Sequence, residues 1–402
     1  MNQEDFPLIK NQKLIYFDSA ATSLKPVSVL KAITNFYNYY GFNSHNHDSN
    51  LSYLLNQKIK ETRKKVQHFI NAKKSKEIIF TPSATYGLNQ IAFGLQEFVN
   101  ENDQILLTKL EHSSNILPWI ELCKAKRLTI DYLPLTKEYL INQKKLLKQI
   151  TKKTKIITFC NVSNTFGYLE DVKTIIQKVR KINKDIIFVI DGTQSVSCHL
   201  IDVVDLDVDF FVFSGHKMLA STGIGILYGQ EKWLLKIKPL ITGGGMWIYS
   251  PNHELFAYQY KKLPAKFEAG SLNSAGIFSL NAAITYLNSL TMPRIQEYVF
   301  NLQQYCLQQL KTHLNKRIVI YNQDQKSSLI LFNFKNHPSH DVASWLANKH
   351  RILIRGGRLC TKYELDLLHT DGLLRISFYF YNTKTEIDYF INVLKNETNF
   401  IL

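Results

Sequence analysis

The chain has 402 residues, with 49 Lys plus Arg against 33 Asp plus Glu, so its formal net charge is +16. That length predicts two or three domains at roughly 150 residues each, and the balance of 45% hydrophobic to 20% charged residues excludes a disordered chain. No apolar run approaches the ~18 residues of a membrane span, and five cysteines without paired spacing argue against a disulfide scaffold. Residues 1–10 carry Glu4 and Asp5 and no apolar stretch, so no secretory signal is expected and a reducing cytoplasm fits. Of the basic residues 40 are Lys and 9 are Arg, and the Lys are scattered along the chain. Such a pattern reads as a solvated surface, so neither membrane association nor direct nucleic-acid binding is expected.

In chain order, short apolar runs at 78–80, 104–108, 128–133, 155–161, 185–191, 209–214 and 223–228 read as strands. Most are continuously apolar, which suits strands buried on both faces. Helix-period stretches at 85–97, 115–126 and 172–181 lie between them. Strand–helix alternation of this kind predicts an α/β domain with a largely parallel sheet. The alternation fades after about residue 276, where helical patterns at 277–290 and 294–314 follow. Strands expected at 317–321, 329–334, 352–355 and 375–381 then describe a smaller α+β domain. The division expected is a segment 1–15 packing on the small domain, a large domain 16–275 and a small domain 276–402.

Ligands of open α/β sheets bind beyond the carboxyl ends of the strands, and polar residues gather at those ends here. One run ends in Asp191-Gly-Thr-Gln194, the next in Ser214-Gly-His-Lys217, and an earlier one leads into Asn161-Val-Ser-Asn164. Taken singly, Asp191 reads as a helix N-cap and Lys217 as a loop charge. Together they suit pyridoxal phosphate, which needs a lysine for its aldehyde and a carboxylate for its ring nitrogen. Its phosphate needs an anion cradle such as a helix N-terminus, and Thr81-Pro-Ser-Ala-Thr85 precedes a helical stretch.

With these residues the chain resembles the class V, fold type I pyridoxal-phosphate enzymes, and within them the SufS-type cysteine desulfurases. The motifs that carry the resemblance run from Tyr16-Phe-Asp-Ser-Ala-Ala21 to Tyr381-Asn-Thr383. They include Glu111-His112-Ser-Ser-Asn115, Val162-Ser-Asn164, Phe213-Ser-Gly-His-Lys217, Phe267-Glu-Ala-Gly270 and Arg375-Ile-Ser. The resemblance implies a large domain with a mostly parallel seven-stranded sheet flanked by helices, plus a smaller α+β C-terminal domain. It implies that Lys217 carries pyridoxal phosphate, that Asp191 meets the ring nitrogen and that Gln194 bonds the ring hydroxyl. His112 would stack on the ring and assist proton transfer, and Asn164 would serve both cofactor and substrate. Ala84, Thr85, Ser214 and His216 would hold the phosphate, and Ser271 would reach the phosphate of the neighbouring subunit in a homodimer.

The cysteines divide four to one. Cys123, Cys160, Cys198 and Cys306 sit in strand or helix patterns and read as packing. Cys360 follows Arg355-Gly-Gly-Arg358-Leu359 and precedes Lys362, cations that favour a thiolate. The resemblance makes Cys360 the nucleophile that takes sulfur from L-cysteine as a persulfide and leaves L-alanine, for iron–sulfur cluster assembly or other sulfur delivery through an acceptor protein. Arg375, with Arg355, would hold the substrate carboxylate in a bidentate fork. Alternatives that stay open are a selenocysteine lyase, another class V lyase or aminotransferase, and a non-catalytic basic binding protein. The chain departs from the family at His45-Asn-His-Asp-Ser49, where His-Arg-Gly-x-His is usual, and at Arg358-Leu359, where two histidines are usual. The spacing of His45 and His47 alone is a weak metal signal, and no bound metal is expected.

Overall fold

Seven of the strand runs pair into one sheet, and all but the edge strand at 129–132 lack a polar face and are covered on both sides. The computed structural model describes residues 3–43, 49–248, 258–323, 326–359 and 363–396. The strands are β1 (Ile78–Thr81), β2 (Gln104–Leu107), β3 (Thr129–Tyr132), β4 (Thr154–Cys160), β5 (Ile187–Asp191), β6 (Phe210–Ser214) and β7 (Gly225–Gly229). Their order across the sheet is β1-β7-β6-β5-β4-β2-β3. β2 to β6 pair in parallel with their neighbours in that group, as does β3 with β2, whereas β7 runs antiparallel to both β6 and β1. Since β7 alone is reversed, the carboxyl ends of β1, β4, β5 and β6 all open on the same edge.

Helices α1 (Val27–Asn35), α2 (Asn50–Phe69), α3 (Ala84–Leu95), α4 (Leu117–Lys126) and α5 (Val172–Arg180) surround this sheet. α2 has no counterpart among the expected helices. It turns Ser52, Leu55, Ile59, Thr62, Arg63 and Val66 inward, a helical spacing in which half of the buried positions are polar. Helix α6 (Ser274–Leu290) packs along α1 and α2 and is followed by α7 (Met292–Leu314). Arg63 is satisfied in the core by a fork to Glu268 at 2.7 and 2.8 Å and by the Ile78 carbonyl.

Beyond α7 the chain builds a four-stranded antiparallel sheet from β8 (Ile318–Ile320), β9 (Leu329–Phe334), β10 (Arg355–Gly357) and β11 (Leu373–Ser377), in the order β8-β9-β11-β10. Two expected strands are corrected here. The run 352–355 splits, with Ile352–Leu353 pairing in parallel to Ile15–Tyr16 while β10 pairs with β11. The run 375–381 stops as a strand at Ser377, and the aromatic residues beyond it turn into the core. Phe6 lies against Phe380, Tyr381 and Tyr286, and Gln3 donates to the Tyr381 carbonyl at 2.8 Å. Among the described residues no helix is long and apolar enough to cross a membrane.

Candidate active site

The common edge of the sheet collects the polar residues singled out in the sequence. β4 ends at Cys160 and leads into Asn164, β5 ends at Asp191, and β6 ends at Ser214 with Lys217 just beyond. β1 ends at Thr81, and Ser83 then caps α3 by accepting from the Tyr86 amide at 3.2 Å. The Ala84 amide donates to Ser214 Oγ at 2.9 Å, so the start of α3 and the end of β6 are joined directly. That approach requires Gly225, where a Cβ would stand 2.7 Å from the Ser83 carbonyl carbon and 2.9 Å from the Phe213 oxygen.

A cavity of about 260 Å³ opens between these tips. Lys217, Asp191, His112, Gln194 and Asn164 form part of its wall, with Ala84, Thr85, Ser214 and His216 grouped beside α3 and Arg355 and Arg375 contributed by β10 and β11. Ser271 is not on this wall. It lines a separate cavity of about 160 Å³ with Tyr86, Glu268 and Asn273. Cys360 lies outside the described residues, as do His45, His47 and Lys362. Ser49, which stands where the resembling family has its second histidine, caps α2 by accepting from the Leu51 amide at 3.2 Å.

The electrostatics of the wall sort the groups by role. Burial pushes His112 below the ordinary histidine range, with Lys217 and Arg375 adding to the effect and Asp191 opposing it. Its Nδ1 accepts from the Ser114 amide at 3.2 Å, which leaves the proton of the neutral ring on Nε2. The preceding Glu111 is fully buried and takes three donors: Thr108 Oγ1 at 2.5 Å, Asn115 Nδ2 at 2.7 Å and the Cys160 amide at 3.0 Å. Burial nonetheless pushes Glu111 up to about 7. Asp191 Oδ1 accepts from the Thr193 amide at 2.9 Å, which fixes the carboxylate at the strand tip.

Arg375 is 3% exposed, and it donates to the Asn164 carbonyl at 2.7 Å and to Asp18 Oδ1 at 3.1 Å. Asp18 was part of the Tyr16–Ala21 motif but had no assigned role, because its partner lies 357 positions away. Burial raises the Asp18 carboxyl above its ordinary value, against the pull of Arg375. Sequence reasoning also missed Ser114, Cys160 and Thr193 as parts of the cavity wall.

The four cysteines read as packing divide further. Cys160, Cys198 and Cys306 are buried, while Cys123 is half-exposed. Burial raises all four, Cys123 to about 11 and Cys198 to about 12, which keeps them protonated thiols. The chain on either side of Cys360 is held to one turn: Asn164 Nδ2 donates to the Leu359 carbonyl at 3.4 Å, and Thr165 Oγ1 donates to Glu364 Oε1 at 3.3 Å. Among the described residues no group of three or more His, Cys, Asp or Glu is arranged to hold a metal.

The donor set fits pyridoxal phosphate. An amine, a carboxylate and an imidazole share one wall, and a hydroxyl-rich helix N-terminus stands beside them. Thr193 Oγ1 and Arg375 Nε, both from residues on the wall, are buried without a partner among the described residues. Buried polar atoms in that condition are expected where a ligand completes the bonding. Fold and site together define a pyridoxal-phosphate enzyme of the α/β transferase type.

The family model for class-V aminotransferases matches residues 15–390, and the chain belongs to that family. A protein of Ureaplasma parvum named "Probable cysteine desulfurase" is 38% identical over 97% of this chain and 95% of its own length. One of the same name from Halalkalibacterium halodurans is 37% identical over 94% of this chain and 92% of its own. Among solved structures, the apo cysteine desulfurase of Thermococcus onnurineus superimposes with a TM-score of 0.91 at 31% identity, covering 98% of this chain and 96% of that one. The Escherichia coli cysteine desulfurase CsdA, in its S-sulfonic acid form, gives 0.89 at 29% identity and covers 98% of both chains.

Proposed function

We propose that the chain is a cysteine desulfurase that converts L-cysteine to L-alanine and receives the sulfur on Cys360. The observation that carries this reading is the convergence of Lys217, Asp191, His112 and Arg375 on one cavity beside the chain that leads into Cys360. Bound pyridoxal phosphate supplies an electron sink for the charge that develops at the substrate Cα. Lys217 holds the cofactor and moves the Cα proton. Asp191 keeps the ring nitrogen protonated, and Gln194 and Asn164 fix the orientation of cofactor and substrate. Ala84, Thr85, Ser214 and His216 cradle the phosphate. His112, a neutral imidazole with its proton on Nε2, is matched to proton transfer on the ring face. Arg375, with Arg355 at the rim, takes the substrate carboxylate. The thiolate of Cys360 attacks the substrate sulfur, so that the S–S bond forms as the C–S bond breaks and the carbon fragment retains the bonding electrons. Protonation of that fragment leaves alanine.

The same reading includes a homodimer, in which Ser271 serves the neighbouring subunit's phosphate, and a sulfur acceptor protein that removes the persulfide. It includes a cytoplasmic setting, with iron–sulfur cluster assembly as one destination of the sulfur. It also includes the division at 16–275 and 276–402, with 1–15 packed on the smaller part. The test is incubation of the purified protein with L-cysteine and a reducing thiol, with alanine and sulfide measured together. Both are expected in equal amounts, and mass spectrometry is expected to find one added sulfur on Cys360. Cys360→Ala is expected to lose at least ~100-fold in sulfide release. A variant that keeps full release would overturn the persulfide step. Release from selenocysteine alone by that variant would favour a selenocysteine lyase.

A further inference from the structure

One backbone carbonyl beside the cavity is unusually crowded. The oxygen of His216, in the peptide that joins His216 to Lys217, accepts from the Ser23 amide at 3.0 Å, Ser23 Oγ at 2.9 Å, Thr22 Oγ1 at 3.1 Å and Lys25 Nζ at 3.0 Å. A carbonyl has two lone pairs, so four donors on one oxygen mark a point the fold grips hard. All four come from a single short segment, Thr22-Ser-Leu-Lys25. Ser23 also reaches past the lysine: its hydroxyl accepts from the Leu219 amide at 2.7 Å. One buried hydroxyl, in a residue 1% exposed, therefore bonds to the chain on both sides of Lys217.

The chain at Leu219 needs that support. Leu219 has φ of 73°, in the left-handed region that residues other than glycine rarely adopt. Strain of this kind persists only where surroundings over-determine it, and it clusters at functional sites. Lys25 adds to the grip at a cost. Its ammonium is met by the His216 and Ser23 carbonyls and by Thr22 Oγ1, and no ion pair to a carboxylate compensates it among the described residues. Burial accordingly lowers it to about 8. Burying an ammonium without a paired carboxylate carries a desolvation cost, which its three acceptors offset only in part.

We propose that Thr22, Ser23 and Lys25 are positioning residues for Lys217: they clamp the peptide that leads into the lysine and so set the direction from which its amine meets cofactor and substrate. The proposal rests on the reading of Lys217 as the cofactor lysine. None of the three touches the reacting atoms; Ser23 and Lys25 act through the backbone of the 216–219 turn, and Thr22 acts through it and through the His216 imidazole, whose Nδ1 lies 3.2 Å from Thr22 Oγ1.

The test uses Ser23→Ala, Thr22→Val and Thr22→Ser in the full chain. Stripped of cofactor and mixed with pyridoxal phosphate, wild-type protein is expected to develop the absorption band of lysine-linked cofactor. Ser23→Ala and Thr22→Val are expected to develop it roughly 10-fold more slowly, and once loaded to exchange the Cα proton of L-alanine with D₂O roughly 10- to 100-fold more slowly. Thr22→Ser, which restores a hydroxyl, is expected to recover most of what Thr22→Val loses. Wild-type rates in both Ser23→Ala and Thr22→Val, whatever happens to their melting temperatures, would show a structural clamp only and overturn the proposal. If Ser23→Ala does not fold, the Thr22 pair decides. Wild-type protein without the band would overturn the reading of Lys217 and the clamp with it. A band with unaffected variants would overturn the clamp alone.

Discussion

Arg375 is held by the fold and, in the proposed reading, also receives the substrate. Two of its nitrogens are engaged by Asp18 and the Asn164 carbonyl, while Nε has no partner among the described residues. The guanidinium is thereby oriented in advance, which would lower the ordering cost of binding the substrate carboxylate proposed for it. Lysine has a single ammonium and cannot hold Asp18, Asn164 and a substrate oxygen in one plane. Arg375→Lys is expected to raise the KM for L-cysteine on the order of 10- to 100-fold while the cofactor band is retained, as steady-state alanine formation would show. At this scale the sequence was informative where polar residues end apolar runs, as for Asp191 and Lys217. It was silent on Asp18 and Lys25, whose importance comes from partners that only folding brings near.

At the scale of elements, the phosphate cradle proposed beside α3 depends on strand β7 as much as on the helix. Gly225→Ala would drive a methyl into the backbone of Ser83, which has no flexible end to move aside. The cost expected is roughly 1–3 kcal/mol of stability. Cofactor should also dissociate more readily, because the start of α3 must move away from Ser214. A urea midpoint and a dialysis measurement of bound cofactor would check both. Whereas the edge strand β3 alternates exposed and half-buried positions, six of the seven strands were legible because burial on both faces leaves a nearly continuous apolar run. Helix α2 was not, since Arg63 and Thr62 stand at core-facing positions and are satisfied there by Glu268, Ile78 and Lys58. The strand expected to end at Tyr381 ran too long because apolar residues buried in a turn look, in sequence, like apolar residues in a strand.

For the whole molecule, pH enters through histidines buried in the neutral state. His199 is 8% exposed, accepts at Nδ1 from Gln296 Nε2 at 3.0 Å, and is pushed down to about 4 by burial. An unfolded histidine takes up its proton near 6.5, whereas the folded one resists until about 4. Stability from this group is therefore complete above about 6.5 and declines as pH falls toward 4, with a loss of about 2 kcal/mol by pH 5. His199→Gln is expected to flatten the dependence of the unfolding free energy on pH between 7 and 5, measured by urea titration. The net charge of +16 does not decide the fold, but it would favour an acidic partner for the proposed sulfur transfer and make such an encounter salt-sensitive.

The reversed strand β7 also determines how far Lys217 can travel. Parallel neighbours are joined by a crossover of about a dozen residues or more, usually through a helix. A lysine on such an excursion would depend on loop packing for its position. Here the link 215–224 leaves β6 and returns along it at once, and it is closed at its base by the pairing of Ser214 with Gly225. The amine is thus kept on a short leash, with both ends tied into the middle of the sheet. Chain breaks or insertions elsewhere on the sheet's edge would lengthen a loop; within this link they would let go of the one amine on which the proposed chemistry turns.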